Sequence, residues 1–308
     1  MWELECEIEG NNCYNSMLFL LLKCFKRDDL FLYLNKYYNH YYTNRAGLLA
    51  ERLDSNYPRP NPDVLRDYCG VDVRYTDSAP DIRRVISEAI QKAPVGVTLD
   101  PYDCGWTPHY RRAHYNHFCF VVGLSKNDTC ICKDIYFSKC GYIEIPFAEL
   151  ALIYQYIYTF EFLPFEPPDK ESHINFLTGN INALSERNTD EERRQLKEYL
   201  NSRFELKEEI PDLKYLETSA LLLKLMWFAE DKRMFIAGLK TLSGRFPGLN
   251  YDSVYRPLRD CVQAFVNLRS VLIKSLIKKD VDRRLLSTII DEIYDCDRRV
   301  IKAMRKKE

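Results

Sequence analysis

His117-Phe118-Cys119-Phe120-Val121-Val122-Gly123-Leu124, the turn Ser125-Lys126-Asn127-Asp128, and Thr129-Cys130-Ile131-Cys132-Lys133-Asp134 read together as one hairpin. Two runs rich in β-branched and aromatic residues flank a polar turn. Folding the second run back on the first sets His117, entering one strand, beside Asp134, leaving the next. Further strand signals extend the sheet at Pro94–Asp100, Gly141–Ile145 and Ile153–Phe162, with a shorter one at Val71–Tyr75.

Upstream lies Gly10-Asn11-Asn12-Cys13-Tyr14-Asn15-Ser16-Met17-Leu18-Phe19-Leu20-Leu21-Leu22. A helix is expected over Cys13–Phe25, with Asn11 or Asn12 as its N-cap. It is apolar on nearly every face, so it belongs inside the fold. A thiol is a weak nucleophile until deprotonated, and a helix N-terminus favours the thiolate. An imidazole beside it takes the proton and returns it to the leaving group. A third group must hold that imidazole in orientation. Cys13, His117 and Asp134 are the candidates for these roles in that order, with a buried core thiol, a strand-end histidine in a structural hydrogen bond and a turn-starting aspartate as their competing roles. An acyl intermediate also needs donors for its oxyanion. The Cys13 N–H is one candidate, and the side-chain amide of Asn12 or Asn11 is another, with N-capping as their competing role. His109 and His114 compete with His117 as the base, whereas His40 and His173 lack comparable context.

The chain has 308 residues, 46% hydrophobic and 29% charged, with a net charge of −1. That length favours two domains, and the charge argues against a broad nucleic-acid interface. Met1-Trp2-Glu3-Leu4-Glu5 is acidic rather than a basic leader, and Met17–Leu22 is too short to cross a bilayer. The expectation is a cytoplasmic protein without a membrane partner. Its eleven cysteines are then reduced thiols. Cys130, Cys132 and Cys140 form the densest group, but no second pair completes a zinc set, so no metal is expected.

Alternate prolines mark a loop at Tyr57–Pro62, and Pro62–Cys69 fits a helix closed by Gly70. Another helix is expected over Asp81–Lys92. Asp29–Tyr42, rich in tyrosine, reads either as a substrate-lining segment or as a packed amphipathic stretch. Leu163-Pro164-Phe165-Glu166-Pro167-Pro168-Asp169 is a linker. Beyond it Thr189-Asp190-Glu191-Glu192 reads as a capping box. Helical patterns cover Leu216–Leu242, stopped by Ser243-Gly244 and Pro247-Gly248, then Tyr251–Lys279 and Asp282–Met304. The fold class is therefore α+β: an antiparallel-sheet domain over residues 1–163, then an all-α bundle over 170–308.

Residues 8–160 resemble the amino-terminal domain of butirosin-biosynthesis-type acyltransferases, which belong to the papain-like cysteine fold. The resemblance rests on Asn12-Cys13 before an apolar helix, on Pro94–Tyr102 with the polar aromatic loop leading to His114–Leu124, and on Cys132-Lys133-Asp134 followed by Gly141–Ile145. It implies a catalytic triad of Cys13, His117 and Asp134, and Asp100, Tyr102 and His114 are expected at the substrate. It implies transfer of an acyl or aminoacyl group from a carrier-protein thioester, through Cys13, to an amine in natural-product biosynthesis. The partners would be an acyl or peptidyl carrier protein and a small amine. No separate cofactor is needed, since the phosphopantetheine arm belongs to the donor. Arg111-Arg112 would suit such an acidic or phosphorylated donor, with a solvated surface as the alternative. The helical half is a candidate homodimer surface. Two other functions stay open: a papain-like peptidase or amidase with the same triad, and a non-catalytic papain-like interaction protein.

Overall fold

The computed structural model describes residues 1–4, 13–38, 41–43, 45–53, 62–79, 81–112, 114–134, 141–216 and 219–305. The chain forms two compact units, Met1–Phe31 with Pro58–Pro168, and Leu32–Tyr57 with Asp169–Glu308. The class is α+β. Among the described residues every strand lies in the first unit, and the second is helical apart from an isolated bridge between Tyr42 and Leu53. No helix among them is long and apolar enough to cross a membrane.

In chain order the elements are α1 (Cys13–Cys24), α2 (Leu30–Leu34), α3 (Leu49–Arg52), α4 (Pro62–Cys69), β1 (Val71–Thr76), α5 (Ile82–Ala89), β2 (Val95–Leu99), β3 (His117–Leu124), β4 (Thr129–Lys133), β5 (Tyr142–Pro146), α6 (Phe147–Ile153) and β6 (Tyr154–Phe162). The second unit adds α7 (Lys170–Ser185), α8 (Thr189–Ser202), α9 (Leu206–Glu209), a 3-10 turn at Leu213–Tyr215, α10 (Ala220–Arg245), α11 (Asp252–Lys278) and α12 (Arg283–Arg305).

The six strands make one antiparallel sheet in the order β1-β6-β2-β3-β4-β5. β3 is buried along nearly its whole length, because both faces of the sheet are covered. On one face Val95, Val97, Leu99, Cys119, Val121, Cys130 and Cys132 pack with Ile82 and Ile86 of α5 and Phe147 and Leu150 of α6. On the other, Tyr14 of α1 meets Phe118 edge-on at 5.1 Å and Tyr158 at 5.7 Å. Residues Tyr14 to Leu22 of α1 are all buried, which accounts for a helix with no polar face. Gly96 makes the aromatic packing possible, since a Cβ there would sit 2.4 Å from the Phe118 ring.

The second unit carries its polar groups inside. Lys232 is fully buried, 3.1 Å from Asp297, with its ammonium 4.1 Å from the Tyr37 ring centre. It also donates to the Tyr38 carbonyl. Tyr37 and Tyr41 hydroxyls donate to the Asp297 carboxylate, and Tyr38 donates to Asp231 at 3.1 Å. Glu192 of α8 accepts from the N–H groups of Tyr41 and Tyr42, at 2.6 and 2.8 Å, and from the Tyr294 hydroxyl. Glu209 accepts from Leu49 and Ala50 N–H.

These bonds explain a difference from the division expected at 163–170. Residues 32–57 group with the helices, because their tyrosines and backbone N–H groups find partners there. Tyr37, Tyr38, Tyr41 and Tyr42 are buried core, not a substrate lining, and among the described residues the helix in that stretch is confined to α2. Two helix ends also differ. The cap of α8 is Asn188, whose side chain accepts from Glu191 N–H at 3.1 Å. α10 runs through Ser243-Gly244, the first expected stop, and ends at the second, with its cap at Phe246 before Pro247. Pro257 lies inside α11, near its first turns.

Two stability measurements test this packing. Asp297→Ala strands the buried Lys232 charge and is expected to cost about 3–5 kcal/mol, read by chemical denaturation followed through the helical signal. Gly96→Ala is expected to cost about 1–3 kcal/mol by overpacking against Phe118. An unchanged midpoint in either variant would contradict the corresponding packing.

Candidate active site

His117 opens β3 opposite Leu99 of β2. Phe120 pairs with Lys133 and Val121 with Cys132. Continued one step, that register sets Asp134 opposite Cys119, two residues along the strand from His117 and on the same face. The hairpin geometry thus delivers the pair, and Nε2 of His117 lies 2.7 Å from Oδ2 of Asp134. Both side chains are buried, at 2% and 0% exposure. An ionised carboxylate can only accept, so Nε2 carries the proton.

Cys13 is the first residue of α1 and is half-buried. Its N–H is one of the helix-start donors without an intrahelical partner. The thiol lies within hydrogen-bonding reach of the His117 ring. With Nε2 taken by the carboxylate, Nδ1 is the ring nitrogen left for sulfur. Burial alone pulls the His117 imidazole down. Hydrogen bonds and charge from Asp134 and Cys13 more than offset it and hold it up at about 9, against an ordinary 6.5. Across neutral pH the ring is therefore positive, which favours a thiolate beside it.

Trp106, not among the residues singled out above, completes the pair. Its indole Nε1 donates to the same Asp134 oxygen at 3.1 Å. A buried carboxylate needs its lone pairs occupied, and a half-buried tryptophan needs an acceptor for its N–H. A tryptophan in the polar loop just before the histidine strand was the available signal. Tyr115 is half-buried nearby, and its phenol is pushed up by burial and then by Cys13, Asp134 and Cys104, so it keeps its proton.

Three other thiols of this unit, Cys104, Cys119 and Cys130, are held above the ordinary cysteine range. Burial pushes Cys104 up to about 12, helped by Asp134 and Asp100, while its Sγ lies 3.2 Å from the Asp100 carbonyl. Cys119 is raised by its hydrogen bond with Cys132 and by burial, and Cys130 is raised chiefly by burial. Cys130 and Cys132 share the apolar core face. Among the described residues no group of three or more His, Cys, Asp or Glu side chains could hold a metal ion. Cys140 lies outside the described residues.

Asn11 and Asn12 also lie outside the described residues, as does His40. Asp100, Tyr102 and His114 come together in a cluster of their own. Nδ1 of His114 is 2.8 Å from Asp100 Oδ2, and its ring stacks on Tyr102 at 4.1 Å. Asp100 Oδ1 accepts from Tyr102 N–H at 3.0 Å, fixing the turn. Arg111 lies over the Tyr102 ring at 5.1 Å and meets Asp103 at 3.4 Å. Arg112 is exposed, with Nη1 3.4 Å from the Pro108 carbonyl. His109 packs edge-on against Tyr115 at 5.2 Å, and His173 is a buried residue of α7 in the other unit.

No protein-family model matches the chain, and no curated protein matches it either.

The His117 environment is measurable. A ring titration followed by NMR is expected to give an apparent value of about 9, and Asp134→Asn should lower it towards or below 6.5, since burial then meets less opposition. A value raised above the unfolded one stabilises the fold fully below about 6.5. That contribution is lost as pH climbs through about 9. A ring titrating near 6.5 in both proteins would contradict the buried ion pair.

Proposed function

We propose that the chain is a cysteine-dependent acyltransferase with a papain-like first unit. It moves an acyl or aminoacyl group from a carrier-protein thioester to an amine, in the biosynthesis of a natural product such as an antibiotic. One observation carries the chemical part of this reading. A half-buried cysteine at a helix start lies in reach of an imidazole that a buried carboxylate holds at 2.7 Å. The transfer part rests on the resemblance of residues 8–160 described above.

In this reading Cys13 Sγ attacks the thioester carbonyl, and the oxyanion takes a hydrogen bond from the Cys13 N–H. The adduct collapses by breaking the bond to the pantetheine sulfur, which leaves with the proton from His117. The acyl group is then on Cys13, and His117 is neutral. The amine attacks, a C–N bond forms, the C–S bond breaks, and His117 takes a proton from the attacking nitrogen. Asp134 and Trp106 keep the ring oriented through both halves without exchanging a proton themselves.

Intact-mass spectrometry after incubation with a panel of acyl-phosphopantetheine thioesters tests this directly. Wild type is expected to gain the acyl mass, and Cys13→Ala to gain nothing. No adduct with any donor, together with slow alkylation of Cys13 by iodoacetamide, would overturn the enzyme reading in favour of a binding role. An adduct that discharges equally fast with and without amines would make the chain a hydrolase.

A further inference from the structure

A second histidine–carboxylate pair stands at the same end of the sheet as the first. Asp100 directly follows Leu99, the residue paired across the strands with His117. Its carboxylate is largely buried, with the side chain 18% exposed, and it holds His114 Nδ1 at 2.8 Å. The His114 side chain is 69% exposed, and its ring lies flat on Tyr102. Orientation is therefore set on two sides, by a carboxylate in the ring plane and by an aromatic ring beneath it. With Nδ1–H donating to Asp100, the neutral ring keeps its lone pair on Nε2, which has no hydrogen-bond partner among the described residues. Tyr115, next in sequence, has a phenol that feels both Cys13 and Asp100, so the two pairs share one neighbourhood.

Acceptor chemistry gives such a pair a use. An alkylamine exists in water near neutral pH as an ammonium ion. It must lose one proton before its lone pair can attack and a second after the C–N bond forms. Water as acceptor needs one base. His117, neutral once the donor thiol has left, takes one proton and has no capacity for another.

We infer that His114, held by Asp100, is the second base of the site, and that the acceptor is a primary alkylamine presented as its ammonium ion. This rests on the acyl-enzyme reading above. Nε2 of His114 takes the proton from the ammonium nitrogen, giving a free amine and an imidazolium whose charge Asp100 offsets. The amine attacks the Cys13 thioester, and His117 takes the second proton as the C–S bond breaks. The His114 imidazolium then returns its proton to solvent, which its exposure allows. Arg111, tied to Asp103 and stacked on Tyr102, and the exposed Arg112 are the cations nearby, and His109 faces Tyr115. None of them occupies Nε2 of His114.

The test uses the full chain as wild type, His114→Asn and Asp100→Asn, each charged at Cys13 with S-acetyl-N-acetylcysteamine. Loss of the acetyl mass is followed with butylamine, an ammonium ion at neutral pH, and with hydroxylamine, which is already neutral there. The rate ratio of butylamine to hydroxylamine is expected to fall about 100-fold in His114→Asn, to fall in Asp100→Asn, and to recover at high pH, where butylamine needs no first base. An unchanged ratio in both variants overturns the inference while leaving the acyl-enzyme in place. Wild type that takes no acetyl group overturns the acyl-enzyme reading itself, and the inference with it, and that result is read before any amine is added.

Discussion

A carboxylate with no access to water is the constraint around which the first unit is arranged. Asp134 at 0% exposure survives as a charge only if the protein replaces its hydration, and an unpaired buried ion would cost several kcal/mol. The His117 imidazole at 2.7 Å and the Trp106 indole at 3.1 Å are among the groups that do this, both at the same oxygen. Each comes from a different segment, β3 and the loop that follows β2. The site therefore depends on the hairpin register, on that loop and on α1 at once. The same carboxylate keeps His117 positive against the pull of burial. The cationic ring is what a thiol at the start of α1 needs beside it.

The second unit solves a similar problem. Lys232 and Asp297 are both buried, and the tyrosines at 37, 38 and 41 surround them with hydroxyls and ring faces. An ammonium over aromatic rings is stabilised by their quadrupoles, more so when desolvated. Burial pushes these phenols well above their ordinary range, and the neighbouring carboxylates push them further, so they stay protonated donors. Replacing such a network with apolar groups is often energetically neutral, so its effect is to define which segment packs there. The segment so defined is the one containing residues 32–57, which leaves the first unit to join the helices.

Much of this was legible in the residues. β-branched alternation placed β2, β3, β4, β5 and β6 within a residue or two of their observed ends, and helical spacing placed α11 and α12. Register then followed from the turn at Ser125–Asp128, which is why His117 and Asp134 were found as a pair. Trp106 was missed because an indole in a loop carries no periodicity, and its partner lies 28 residues away in the chain. The tyrosines of 33–42 were ambiguous because a phenol suits both a wet groove and a buried acceptor. α10 passed Ser243-Gly244, the first of its two expected stops, because a glycine inside a long helix costs only about 1 kcal/mol and nothing within 4 Å crowds Gly244, and it ended at the second, before Pro247.

By itself the sequence determined the local elements, the α+β class, and the three residue types able to form a nucleophile, a base and an orienting acid. Those are properties of short-range pattern and side-chain chemistry. Tertiary structure alone decided which donors reach Asp134, that His114 answers to Asp100, and that residues 32–57 belong with the helices. Each of these depends on buried polar groups finding partners far away in the chain. A buried charge accepts whichever donor the packing brings to it, and no local pattern records that choice.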